Sequence, residues 1–242
     1  MKEIKGLIFD YGGTLDSNGQ HWASVIWESY QKVGVPIARE FFNEAYVYAE
    51  RKMARHPLIA ADFNFLKVLQ TKVEAQFEYL KNQSVILDTD WIDAIAADGY
   101  TLARTTVQGV EQALNNIHER YPIVMVSNFY GNLSAVLRDF GIYNSFDKII
   151  ESAVVGVRKP DPAIYALGVD AIGLDASECL VIGDSYSKDM VPAKACGCQT
   201  LWLKGEGWSE DEESDTVAAD YTFYDIQELE DIIKSWTSLG TV

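Results

Sequence analysis

From Ile4 to Phe9 the chain is almost wholly apolar, and it breaks off at Asp10. A short continuous apolar run predicts a strand buried on both faces, because a strand with one wet face would alternate. Pro122–Val126 predicts a second such strand, ending at Ser127. Cys179–Ile182 predicts a third, ending at Gly183 and Asp184, and Gln199–Leu203 a fourth. Ile149 and Ile150 mark a short fifth. Helical patterns separate these runs. Alternation of this kind is the mark of a parallel sheet covered on both faces. The expected fold class is therefore α/β, a doubly wound, Rossmann-like parallel sheet.

One long stretch breaks the alternation. From residue 18 to about 104 the periods are helical only. Trp22, Val25, Ile26, Ser29, Tyr30 and Val33 recur at helix spacing, and Gly34 and Pro36 close the segment. Glu40–Arg55, Phe65–Asn82 and Asp90–Arg104 follow the same rule. The division expected is a helical insertion over residues 18–104 and an α/β core made of residues 1–17 and 105–242. Aromatics from Trp22 and Trp27 through Phe77 and Tyr79 are expected to form the insertion's own core. The acidic, polar run Glu206–Asp215 reads as an exposed loop.

Composition narrows the function. The formal net charge is −16, which repels polyanions and argues against a nucleic-acid partner. A small phosphorylated substrate is compatible, its charge met locally by a metal and a cation or two. Apolar residues make up 48% of the chain, yet no apolar stretch approaches a membrane span. The N-terminus lacks the long apolar region of a signal peptide, so a cytoplasmic location is expected. Cys179, Cys196 and Cys198 make no disulfide framework. Cys196-Gly197-Cys198 lacks the second Cys or His pair that a zinc site needs.

The residues able to do chemistry lie where the apolar runs stop, and open α/β sheets bind ligands at the carboxyl ends of their strands. Phe9-Asp10-Tyr11-Gly12-Gly13-Thr14-Leu15-Asp16 sets a carboxylate on a sharp turn whose glycines allow a ligand to approach closely. Such a carboxylate can attack phosphorus and can ligate magnesium. Val126-Ser127-Asn128-Phe129 brings a hydroxyl and an amide suited to phosphoryl oxygens. Gly156-Val157-Arg158-Lys159-Pro160-Asp161-Pro162 holds a cation in extended geometry ahead of a helix, where Lys159 can neutralise a carboxylate and a transferring phosphoryl group. Gly183-Asp184-Ser185-Tyr186-Ser187-Lys188-Asp189 sets two carboxylates before the helical stretch Val191–Cys196, and magnesium is commonly held by one or two carboxylates. Each segment also has an ordinary reading, as turn chemistry, helix capping or a solvated lysine.

In this order the four segments resemble the four motifs of the haloacid dehalogenase superfamily, and the insertion resembles the helical cap of its first cap type. The resemblance implies that Asp10 is a nucleophile forming an aspartyl-phosphate. It implies that Ser127 binds the phosphoryl group with backbone help from Asn128, and that Lys159 steadies Asp10 and the phosphoryl charge. A magnesium ion is implied on Asp10, the Gly12 carbonyl and Asp184, with Asp189 direct or through water. Gly12 is a departure, because most phosphatases of the family carry there a second Asp that serves as general acid and base. Asp16 is near in sequence, but its spacing does not place it in that role. The function expected is magnesium-dependent hydrolysis of a small phosphorylated metabolite, slowed by Gly12. Two alternatives stand beside it. One is phosphonatase-like carbon–phosphorus cleavage with Lys52 as the nearest cap lysine, and the other is a binding or regulatory protein of low turnover. Dehalogenation fits less well, since it needs no metal carboxylates. Arg51, Lys52, Arg55 and His56 form a basic cluster in the insertion, either a solvated helix face or an attractor of anionic substrate.

Overall fold

The computed structural model describes residues 2–205 and 218–239. Its centre is a six-stranded sheet, all parallel, built from β1 (Gly6–Phe9), β2 (Ile123–Ser127), β3 (Lys148–Glu151), β4 (Cys179–Gly183), β5 (Gln199–Leu203) and β6 (Tyr221–Phe223). The order across the sheet is β3-β2-β1-β4-β5-β6. β1 pairs with β2 on one side and with β4 on the other, Phe9 lying opposite both Met125 and Ile182. β6 was not among the expected strands. Its three residues at the sheet edge are too few and too exposed to leave an apolar run.

The double burial foreseen for the strands is present. Leu7, Phe9, Ile123, Met125, Leu180 and Ile182 pack into one apolar layer. Ile8, Val124, Val126 and Val181 pack into the other, against Ile164, Tyr165 and Val169. Successive side chains of one strand thus feed opposite layers, as the period of two requires.

Between β1 and β2 lie α1 (Trp22–Val33), α2 (Arg39–Arg55), α3 (Phe65–Asn82) and α4 (Asp90–His118). The last of these runs well past Arg104, where the helical pattern was expected to stop. The reason is visible in its buried residues. Ala103, Val107, Val110, Leu114 and Ile117 keep the spacing of one helix face, so nothing in the apolar period ends the helix at position 104. α4 packs on α1 and α3 at one end and on α9 (Leu229–Leu239) at the other. The aromatics of the insertion are not a sealed core of their own either. Phe65 meets Trp22 within the insertion, but also Tyr11 and Phe140 of the sheet region, and the apolar layer runs continuously from β1 into α1–α4. Phe41 is exposed.

The remaining helices α5 (Leu133–Asp139), α6 (Ser152–Val155), α7 (Ala163–Ile172) and α8 (Val191–Ala195) follow the later strands. A single π-turn, Tyr186–Met190, leads into α8. The run Glu206–Asp215 lies outside the described residues. Among the described residues no helix is long and apolar enough to cross a membrane.

Candidate active site

Three neighbouring strands, β2, β1 and β4, deliver Ser127, Asp10 and Asp184 to the same edge of the sheet. The backbone N–H of Asp10 bonds to the Ile182 carbonyl at 2.9 Å, so the ladder continues to the carboxylate-bearing residue and fixes its position. In this strand order the crevice opens between β1 and β4, where the connection after β1 runs toward β2 and that after β4 runs the opposite way toward β5, the usual place for a ligand in such sheets.

Asp10, Asp184 and Asp189 offer oxygens that all lie within 4.8 Å of one another. Asp10 and Asp189 are buried, and burial of a carboxylate is costly unless it is paired. Lys159 supplies the pairing. Its Nζ stands 2.5 Å from Asp10 Oδ1 and 2.6 Å from Asp189 Oδ1. The Tyr165 hydroxyl donates to Asp189 at 2.7 Å, and the Ser185 N–H donates to its other oxygen at 3.0 Å. Thr14 Oγ1 lies 2.9 Å from Asp10 and 3.0 Å from Asp184, tying the two carboxylates together. Close approach of these groups explains Gly13. It adopts φ +97°, and a Cβ there would stand 2.3 Å from an Asp184 oxygen.

The charges do not balance among the side chains alone. One ammonium faces three carboxylates. Burial, with repulsion from Asp10 and Asp189 next, pushes the Asp184 carboxyl well above the ordinary range. Burial also raises Asp10, with Lys159 opposing. Burial by itself lowers the Lys159 ammonium, but Asp10 and Asp189 outweigh it and hold it above its usual value. A compact set of hard oxygen donors with surplus negative charge fits a divalent cation such as magnesium.

Ser127 adds a second unmet need. It is 1% exposed, and its hydroxyl has no hydrogen-bond partner among the described residues. A buried hydroxyl left so costs about 1–3 kcal/mol, which a ligand oxygen can return. Asn128 also has a role in holding the lysine. Its side chain brackets the backbone of Lys159, accepting from the N–H at 2.9 Å and donating to the carbonyl at 3.1 Å. It therefore sets where the lysine sits. Gly12 lines the same cleft, and beyond its two chain neighbours no atom of the described residues lies within 4 Å of where its Cβ would be.

Sequence reasoning missed Thr14, Tyr165 and Glu151. Thr14 was available as the polar residue one turn after Asp10. Tyr165 gave no signal, since its helix reads as apolar. Glu151 ends β3 and takes the N–H groups of Gly131 and Leu133, which shapes the loop after Ser127. Asp16 is buried and lines the cleft, but its oxygens already accept from Gly13 N at 2.7 Å and Trp22 Nε1 at 3.0 Å. Burial pushes it up to about 7, with those two bonds opposing. It locks the turn to α1.

The cleft has a volume of about 1780 Å³, with the strand ends as floor and the helical insertion as roof. Arg51, Arg55 and His56 line it, as do Arg158 and Lys188 from the strand side. Lys52 does not. It pairs with Glu78 between α2 and α3. The lysine that does line the roof is Lys72. Its position inside the α3 stripe hid it, because a lysine amid apolar spacing reads as a helix-edge residue.

A family model for haloacid dehalogenase-like hydrolases matches residues 4–197. The chain belongs to that family of hydrolases. Among its relatives, the phosphoglycolate phosphatase of Yersinia pseudotuberculosis is 30% identical over 210 residues, covering 84% of this chain and 82% of that one. The glyceraldehyde 3-phosphate phosphatase of Methanocaldococcus jannaschii is 38% identical over 95 residues, which span only 39% of this chain and 41% of the relative. In fold the chain is similar to YfnB from Bacillus subtilis, solved bound to magnesium, with a TM-score of 0.62 and 18% identity over 96% of this chain and all of that one.

Proposed function

We propose that the protein is a magnesium-dependent phosphatase of small phosphorylated metabolites that works through an aspartyl-phosphate on Asp10. The observation that carries this reading is the buried Asp10 carboxylate held by Lys159 and Thr14 beside a partnerless Ser127 hydroxyl. The names of the relatives, phosphatases of small phosphate esters, support the substrate class.

Asp10, Asp184 and the Gly12 carbonyl would hold the magnesium, with Asp189 bound directly or through water. The ion supplies charge neutralisation to a phosphoryl group. Ser127 donates to a phosphoryl oxygen. Lys159 offsets charge on the phosphoryl group and orients Asp10. An Asp10 oxygen attacks phosphorus, the bond from phosphorus to the leaving oxygen breaks, and the leaving alkoxide takes a proton from water because Gly12 offers none. Water then cleaves the aspartyl-phosphate and returns Asp10 as carboxylate. Without a general acid and base the rate is about 10²–10⁴-fold lower than with one.

The same reading assigns residues 1–17 and 105–242 to a catalytic core and 18–104 to a cap, with α4 as a shared spine. Free cysteines suit a reducing, cytoplasmic setting. The carbon–phosphorus alternative is disfavoured by its lysine. Lys52 is turned to Glu78, and Lys72, which lines the cleft, is ion-paired with Glu50 at 2.6 Å. The direct test is a panel of phosphorylated metabolites with magnesium, beside Asp10→Asn. Magnesium-dependent release of phosphate that vanishes in the variant supports the reading, and turnover that survives in the folded variant contradicts it. A protein that binds such esters without turnover would be the regulatory alternative.

A further inference from the structure

The roof of the cleft carries a polar pair that the chemistry at Asp10 does not use. Lys72 on α3 is buried, and its Nζ lies 2.6 Å from Glu50 on α2. Two phenol rings flank the ammonium, with the centroid of Tyr46 at 5.7 Å and that of Tyr130 at 5.8 Å. The Tyr130 hydroxyl also donates to the second Glu50 oxygen at 3.3 Å. Tyr130 belongs to the loop that starts at Ser127, so the pair is joined to the loop beneath it. Lys72, Glu50, Tyr46 and Tyr130 all line the cleft.

Only Lys72 is buried, the Glu50 side chain being 37% exposed, and such a pair adds little net stability, since desolvation of the ammonium offsets much of the attraction. A pair of apolar residues would close the roof as well. Its placement at the ligand cleft gives it another use. An ammonium has three N–H donors and a carboxylate about four acceptor sites. After pairing with each other, both keep capacity, one to donate and one to accept, a hydrogen-bond length apart. Burial pulls the ammonium down, but Glu50, Tyr130 and Tyr46 outweigh it, so the donor persists.

Resting on the phosphatase reading above, we propose that Lys72 and Glu50 together read adjacent hydroxyl groups on the leaving group, which makes the substrates phosphate monoesters of polyols or sugars. One hydroxyl accepts from Lys72 and its neighbour donates to Glu50. An anionic tail is a worse match, because it would lie beside the Glu50 carboxylate. A cationic tail would lie beside Lys72. A purely apolar tail would bury the pair and give it no new partner. The cleft exceeds the several hundred Å³ typical of small-ligand sites, so a leaving group of several carbons fits.

The experiment compares kcat/KM for alditol phosphates of increasing chain length with that for alkyl phosphates of equal length, and with phosphoglycolate as the anionic tail. p-Nitrophenyl phosphate and Asp10→Asn serve as controls. Wild-type protein is expected to favour the alditol esters by at least about 10-fold at the best length. In Lys72→Met/Glu50→Leu, which removes both charges and leaves neither uncompensated, the ratio is expected to fall toward one. Glu50→Gln, a milder change, should lower the ratio in part, and it decides the matter if the double variant does not fold. A wild-type ratio near one, a preference for phosphoglycolate, or a ratio that survives the variants overturns the assignment. If wild type cleaves p-nitrophenyl phosphate but does not discriminate, only this assignment fails. If it cleaves no phosphate ester, the phosphatase reading fails with it.

Discussion

Floor and roof of the cleft are held in place in different ways. In the floor, Asp10, Ser127 and Asp184 stand at the ends of three hydrogen-bonded strands, and each carboxylate there has a fixed protein partner. Sheet register positions these groups, and a shift of one residue would turn each side chain to the opposite face. In the roof, Tyr46, Glu50, Met53, Leu69 and Lys72 come from two helices packed through apolar stripes. Helix faces tolerate exchange of one side chain for another of similar volume far more readily. The floor is therefore suited to fixed chemistry, and the roof to a choice of leaving group.

The floor should fail abruptly. Asp10→Asn is expected to lower kcat by at least about 10³-fold on every phosphate ester, since an amide does not attack phosphorus at a useful rate. Circular dichroism should show an intact fold, because Lys159 keeps Asp189 as a partner. Lys159→Met is expected to cost about 10²-fold or more in kcat. It also strands two buried carboxylates, so stability in denaturant should fall by about 3 kcal/mol, and magnesium should restore part of that loss. Equal loss with and without the ion would separate the lysine from the metal cluster.

This contrast also explains what the sequence made legible. Asp10, Ser127 and Asp184 were marked because an apolar run that stops at a polar residue identifies a strand end, and strand ends share one edge of the sheet; Lys159 was marked because a cation before proline sits in extended geometry ahead of a helix. Tyr165 and Glu151 were not marked, because the contacts that matter are long-range, from Tyr165 to Asp189 and from Glu151 to the loop at Gly131. The Lys72–Glu50 pair escaped for the same reason, since it depends on how α2 and α3 cross. Helix periodicity gave the insertion its four helices, yet it could not end α4 at Arg104, because the stripe through Val107 and Leu114 continues without interruption.

The one gap in the floor can be filled. Beyond its chain neighbours, no atom of the described residues lies within 4 Å of a Cβ built at Gly12, and its φ is not left-handed. Gly12→Asp is expected to raise kcat on alkyl phosphates by about 10-fold or more, and less on p-nitrophenyl phosphate, whose leaving group needs little protonation. No gain on either ester, with magnesium binding intact, would mean that proton transfer does not limit turnover.

Smaller effects belong to the roof and the turn beneath it. Replacing both Arg51 and Arg55 by Ala is expected to raise KM a few-fold at low salt and less at high salt, as screened attraction of an anion requires. An unchanged KM would make them an ordinary solvated face. Asp16 predicts a pH effect. Its carboxyl moves from 3.8 up to about 7 on burial, so the folded chain keeps a proton that the unfolded chain releases. That contribution is full in acid and is lost as pH rises through about 7. The fall in Tm between about pH 4 and about pH 7 should be shallower in Asp16→Asn than in wild type, and parallel curves would remove Asp16 from the account.

The proposed mechanism stands on Asp10 taking the phosphoryl group. Wild-type protein turning over p-nitrophenyl phosphate with magnesium, quenched in acid and mapped by mass spectrometry, tests it directly. The expected result is a phosphoryl adduct on the peptide that contains Asp10, absent when the metal is chelated. An adduct on Ser127 instead, or turnover that continues undiminished without a divalent cation, would contradict it.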